Sequence, residues 1–205
     1  MQRLLFIPAL ATLLMAGCGG GSKNRAVNSQ DTDVNNSQPT VASTEQKSGR
    51  LFDVASVKVS EKISGAFPYI QLPAGIIPLN KPLLRDYDEL YFPVGDSLVL
   101  IKGKAYKTFV TDSGDREWSA PYFLRQLEES ITAKGGVKMF DGKLRKDQVA
   151  YFQEHAQYAG EEGSIDYANE PVRSYVIRKP DSTLVYIQFY GYSAGGSVQV
   201  VEEGK

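Results

Sequence analysis

Apolar and polar positions alternate with two different periods along the second half of this chain. A period of two runs through residues 172–178 and 183–190 and predicts two strands. The stretch Lys179-Pro180-Asp181-Ser182 separates them, with Pro and Asp in favoured central turn positions. Gly195-Gly196 then turns the chain into a third strand over 197–202, so the chain closes on a three-stranded meander. If the Pro180-Asp181 loop closes without a bulge, Val176 faces Val185, Ser174 faces Ile187 and Val172 faces Phe189. These residues would line the core, and the opposite face would carry Arg173, Tyr175, Tyr186, Gln188 and Tyr190.

A period of 3.6 marks the helices. Ala120, Phe123, Leu124, Leu127 and Ile131 recur at three- and four-residue spacing and predict a helix over 120–134. Ser119 is placed to cap it, Pro121 sits in its first turn and Gly135 stops it. A second helix, over 146–156, has the thinner stripe Val149, Phe152 and Ala156. Upstream, the prolines of 67–73 and 76–78 predict edge strands or extended coil, because proline removes a ladder donor. Residues 89–92 and 97–102 read as strands broken at Gly95-Asp96, and a turn at 102–104 leads to a further strand over 105–111. Another strand, 137–140, ends at Asp141-Gly142. The fold class expected is α+β, a mostly antiparallel sheet with two helices packed on one face.

The first 47 residues follow neither period. Arg3 precedes an apolar run of about 12 residues, shorter than the roughly 20 a membrane-spanning helix needs, so 1–17 reads as a secretory signal. The stretch Leu14-Met15-Ala16-Gly17-Cys18 resembles the bacterial lipobox, with Met15 where Leu is usual, and assigns Cys18 as the lipidated residue. The alternative is an ordinary signal peptide that contains a cysteine. One acyl chain binds a bilayer marginally, and two or three anchor stably. Residues 18–47 then form the acylated cysteine and a flexible tether. Gly19 to Lys47 contain no aromatic, five Ala or Val and three charges of each sign, too little apolar surface to offset ordering. As coil they span on the order of 30 Å. That leaves 48–205 as a single folded domain.

Composition narrows the chemistry. The chain has 23 basic and 24 acidic residues, and removing the leader takes only Arg3, so nucleic acid is not the expected partner. One Cys and one His exclude an intramolecular disulfide, a cysteine-rich metal site and a Cys–His catalytic pair in the mature chain. No cofactor or metal is implied. Gly191-Tyr192-Ser193-Ala194-Gly195 fits G-x-S-x-G, but a strand follows it and His155 lies upstream, so a hairpin loop explains it better than a nucleophile elbow. His155 reads as a solvated helix-end residue. Residues 111–117 resemble a calcium loop but lack the D-x-D-x-D-G spacing. Carboxylates cluster at Asp86, Asp88 and Glu89, at Asp112, Asp115 and Glu117, and at Glu161, Glu162 and Asp166. Linear spacing picks no catalytic pair from them. Arg173, Tyr175, Tyr186, Gln188 and Tyr190 are therefore the candidate partner-binding surface, since Tyr and Arg are enriched at interfaces.

Several phrases carry a family likeness: Phe67-Pro68-Tyr69 with Leu72-Pro73-Ala74-Gly75, Tyr91-Phe92-Pro93-Val94-Gly95-Asp96, Gly103-Lys104-Ala105-Tyr106, residues 135–143 and residues 175–181. Together they resemble the N-terminal extracytoplasmic module that precedes the OmpA-like domain in some Gram-negative envelope proteins. The resemblance implies an envelope role and brings no catalytic residues. The OmpA-like domain has no counterpart in these 205 residues, so wall anchoring by that domain is not expected. Gly19, where inner-membrane retention would call for Asp, implies the outer membrane with the domain facing the periplasm. The function expected is a non-enzymatic lipoprotein binding an envelope protein or peptidoglycan-associated assembly. The alternative is a small carboxylate-dependent hydrolase acting on glycan or peptidoglycan. Oligomeric state is not legible.

Overall fold

A computed structural model describes residues 51–204, and one long strand organises the sheet that they form. The elements run β1 (Ile76–Pro78), β2 (Leu83–Val94), β3 (Ser97–Asp112), α1 (Ala120–Ala133), β4 (Val137–Gly142), α2 (Lys146–His155), β5 (Val172–Arg178), β6 (Leu184–Tyr192) and β7 (Gly195–Glu203). The sheet is antiparallel, ordered β1-β3-β7-β6-β5-β4, with β2 pairing β3 on the same edge as β1. Cys18, the leader and the tether lie outside the described residues. The class and the closing meander are those expected from the pattern. No described helix is long and apolar enough to cross a membrane.

Gly103, which reads as a turn in the sequence, lies inside β3. It pairs Asp88 on one side and Glu203 on the other, and a Cβ there would collide with the Glu202 carbonyl. The glycine marks a close backbone approach, not a chain reversal. β3 therefore stays continuous and carries partners on both edges. The sheet curls as a result, and the turn after β2 returns to β4, where the Gly95 N–H donates to the Met139 carbonyl at 3.1 Å.

One face of the sheet presents Tyr175, Ile177, Val185, Ile187, Phe189, Val198, Val200 and Val110. α1 covers it with Phe123, Leu127 and Ile131, all fully buried, and the Ser119 hydroxyl caps the helix by accepting from the Tyr122 N–H. The proline-flanked segment adds Phe67, Tyr69, Ile70 and Leu72 to this layer. The second face carries Val176, Tyr186, Ala105 and Val201 and is covered by Leu90, Phe92 and Val94 of the curling β2. The two helices divide between these layers. α2 packs Val149 and Phe152 with Leu144, Ile165 and Tyr167 against Val172 and Tyr190 of the second face. The curl leaves that end of the second face uncovered, and α2 with the following loop fills it.

The expected tyrosine face is corrected by the β5–β6 turn. Lys179 N–H donates to Thr183, Ser182 N–H donates to Lys179, and Ser182 is left-handed at φ 68°. That turn holds one residue more than a closure without a bulge, so the pairs are Val176↔Tyr186, Tyr175↔Ile187 and Arg173↔Phe189. A one-residue slip moves one strand's side chains to the other face. Arg173 and Tyr175 thus lie under α1, whereas Tyr186, Gln188 and Tyr190 lie on the second face. All but Arg173 are buried. Tyr175 stacks on Phe189 at 5.8 Å, and half-buried Arg173 binds Glu128 of α1 at 2.8 Å. They form core and helix-to-sheet contacts, and no common surface joins them.

Leu127→Ala removes a fully buried side chain from the α1 layer. It should cost about 2–5 kcal/mol in urea unfolding, and a loss below about 1 kcal/mol would contradict this packing.

Candidate functional site

A polar row crosses the apolar second face. Ser174 pairs Gln188, Gln188 pairs Gln199, and Gln199 pairs Lys107, so four neighbouring strands carry one line of buried polar side chains. Each is bonded to the layer above. The Ser174 hydroxyl donates to the Pro93 carbonyl, and Gln188 Nε2 donates to the Tyr91 carbonyl and to Gln199 Oε1, both at 2.8 Å. Gln188 Oε1 accepts from the Tyr167 hydroxyl at 2.8 Å, and Gln199 Nε2 donates to the Gly163 carbonyl at 2.8 Å. The row fixes both β2 and the 156–167 loop over the sheet.

Lys107 ends the row among charges. Its Nζ donates to Asp88 at 2.8 Å and to Glu161, and its side chain is only 3% exposed. Arg85 forks over the same two acids, 2.8 Å from Asp88 and 2.7 Å from Glu161. A bulge makes this possible. Between Arg85 and Asp88, β2 holds one more residue than β3, so residues three apart both face Lys107. Tyr87, within the bulge, points outward and is 59% exposed. Its hydroxyl donates to Glu89 at 2.7 Å, and Lys102 holds the same carboxylate at 3.0 Å.

Across from the bulge stands Tyr158. It is 63% exposed and left-handed at φ 57°, and its ring lies 5.1 Å under the Arg85 guanidinium. Arg85, Tyr87, Asp88, Glu89, Gln157 and Tyr158 enclose an open cleft of about 350 Å³. A neighbouring cavity of about 20 Å³ is lined by Lys107, Glu161, Tyr167 and Gln199 among others, room for a single water. Another hollow, about 460 Å³, lies beside residues 56–62, Gly135 and Val137. Its charged side chains, Lys58, Glu61 and Lys62, come from one short stretch, so it lacks the cross-strand anchoring of the cleft.

The acids of the cleft are held ionised. Burial alone would raise the Asp88 carboxyl, but hydrogen bonds from Lys107 and Arg85 outweigh it and hold it below the usual range. Burial likewise acts on Glu161 and is overcome by Arg85 and Lys107. The Tyr87 hydroxyl, then Lys102, lowers Glu89. A glycoside hydrolase needs one carboxyl kept protonated near neutral pH. None of these three acids is placed to supply it.

The structure brings together two of the carboxylate clusters seen in the sequence, through Asp88 and Glu161. Asp112 and Asp115 instead bond within their own turn, to the Gly114 N–H and the Ser113 hydroxyl. Glu162 turns to β3 and Asn80, accepting from the Phe109 N–H at 2.8 Å. His155 stacks on Tyr151 at 4.2 Å, and Ser193 lies in the β6–β7 turn. Among the described residues no group of three or more His, Cys, Asp or Glu could hold a metal ion. Arg85, Tyr87, Lys107 and Tyr158 were not singled out by sequence reasoning. The one signal for them was Lys107 at an inward position of an alternating strand. No family model matches the chain, and no curated protein matches it.

Lys107→Met leaves the buried Asp88 and the partly buried Glu161 with only Arg85 between them. It should destabilise the fold by about 3–5 kcal/mol at pH 7. Asp88 and Glu161 have lowered values, so their contribution is full above the ordinary carboxylate range and is lost as pH falls through their folded values. The deficit of the variant should therefore shrink on acidification. A deficit that does not change with pH would contradict the network.

Proposed function

We propose that this chain is an outer-membrane lipoprotein whose periplasmic domain is a non-enzymatic binding module for a cell-envelope partner, engaged through the cleft between the β2 bulge and the 156–162 loop. The observation that carries the binding reading is two exposed tyrosines lining one cleft over a paired ion network anchored on buried Lys107 and Asp88. Exposed aromatic rings on a fixed base are what recognition uses, since little side-chain freedom remains to be lost. The leader, Cys18 and the polar tether support the anchoring. The likeness to the module ahead of OmpA-like domains supports the same compartment. The hydrolase alternative lacks support from these acids, which are held as carboxylates.

Two measurements test the two halves. Cys18→Ser should move the protein from the membrane to the soluble fraction, and unchanged fractionation would sink the lipoprotein assignment. A photo-crosslinking residue in place of Tyr158 should give adducts in intact cells, whereas one at Tyr192, near the β6–β7 turn, should not. Equal labelling at both positions, or none at either, would remove the cleft as the binding site.

A further inference from the structure

The cleft's charges are already paired among themselves. Arg85, Lys102 and Lys107 face Asp88, Glu89 and Glu161, three of each sign. Both oxygens of Asp88 accept, one from Lys107 and Arg85 and the other from the Glu89 N–H at 2.9 Å. Both oxygens of Glu161 accept as well, from Arg85 and Lys107. A charged ligand at Asp88 or Glu161 would have to break a pair that is buried on the Lys107 side, which is strongly unfavourable, and the more exposed Glu89–Lys102 pair offers it little. What remains free are the Tyr158 hydroxyl and the Gln157 amide, which make no hydrogen bond among the described residues, the exposed Tyr87 ring, and the face of the Tyr158 ring turned away from Arg85. Beside the paired Arg85, Asp88 and Glu89, the lining thus offers two aromatic surfaces with a neutral donor and acceptor.

We infer that the cleft binds an uncharged, hydroxyl-rich six-membered ring, a pyranose unit of an envelope glycan. A pyranose has a flat face of C–H groups and an equator of hydroxyls. The first matches a tyrosine ring, and the second matches an amide and a phenol that carry no net charge. The size agrees, since about 350 Å³ admits one or two rings and no folded domain. The conformation of Tyr158 points the same way. A bulky residue at φ 57° is uncommon and costly, so its surroundings must hold it there, and it sets the ring beneath Arg85, opposite the bulge. This inference rests on the cleft being the binding site.

The test uses the full chain purified in detergent, with saturation-transfer NMR from protein to sugar. The probes are chitotetraose, an N-acetylated glycan, and cellotetraose, which lacks the acetamides. Saturation should reach the C–H protons of at least one sugar. Tyr87→Ala and Tyr158→Ala should each weaken binding at least about tenfold, the loss of one good contact. Tyr158→Trp should keep most of it, because the ring carries the stack and the indole N–H replaces the phenol as a neutral donor, and Tyr192→Ala should leave it unchanged. Both rings are exposed, so these variants keep the fold. Response to chitotetraose alone supports the inference and names wall glycan as the source; response to both supports it for pyranoses generally. No transfer from either sugar, or transfer indifferent to Tyr87 and Tyr158, overturns it. Crosslinks from Tyr158 that reach only proteins also overturn it, while leaving the cleft as a binding site intact.

Discussion

Four polar side chains in one line across β5, β6, β7 and β3 decide how this domain is layered. Ser174, Gln188, Gln199 and Lys107 lie in register on a face that is otherwise apolar. Burying each unpaired would cost about 1–3 kcal/mol, more for the ammonium. Their partners are the carbonyls of Pro93, Tyr91 and Gly163 and the carboxylates of Asp88 and Glu161. Those groups belong to the curled end of β2 and to the loop after α2. The row is satisfied only when both segments are docked in one position. Hydrophobic contact alone would let β2 slide over Val176 and Val201, but a carbonyl has one place to meet Gln188. The net gain per bond is small, and what it supplies is uniqueness.

The same constraint explains how a loop with few buried residues can present a ring. Residues 156–162 contribute little to the apolar clusters. They are held through Glu161 on Lys107 and Arg85, through Glu162 on the Phe109 N–H, and next to them through Gly163 under Ser197 and Gln199. A Cβ at Gly163 would strike the backbone of Thr108, so the loop passes as close to β3 as a backbone can. Buried ion pairs are weak sources of stability. Here they act as a latch, and the cleft is the outer side of that latch.

How much of this is legible in the sequence depends on range. α1 reads correctly because Ser119, Pro121, Phe123, Leu127, Ile131 and Gly135 all agree within a few turns. The meander strands read correctly for the same reason. Their faces do not, because parity hangs on one left-handed serine in a turn whose neighbours suggest a tighter closure. Gly103 is misread as a turn because a close approach to Glu202, a hundred residues away, leaves no local mark. The site is the least legible part. Asp88 and Glu161 are visible as acids, but what joins them is a bulge at Tyr87 and a lysine that the periodicity places inside. Tyr175 and Tyr186 draw attention as aromatics in strands, where aromatics are most often core. Tyr87 and Tyr158 sit in a bulge and a loop, outside every apolar cluster, so nothing in the periodicity marks them.

A shallow, charge-neutral cleft of this size offers limited affinity by itself, because no new ion pair forms and few atoms of a ligand are covered. In the proposed setting that limit is no handicap. There a lipid anchor at Cys18 and the polar stretch 19–47 would confine the domain to a thin layer beside the membrane. A glycan presents the same ring many times along its length. Rebinding then replaces tight binding, since effective concentration rises with confinement and repetition. The features fit each other on physical grounds. A long-lived grip would need charge or depth, and the domain has committed its nearby charge to holding its own loop in place.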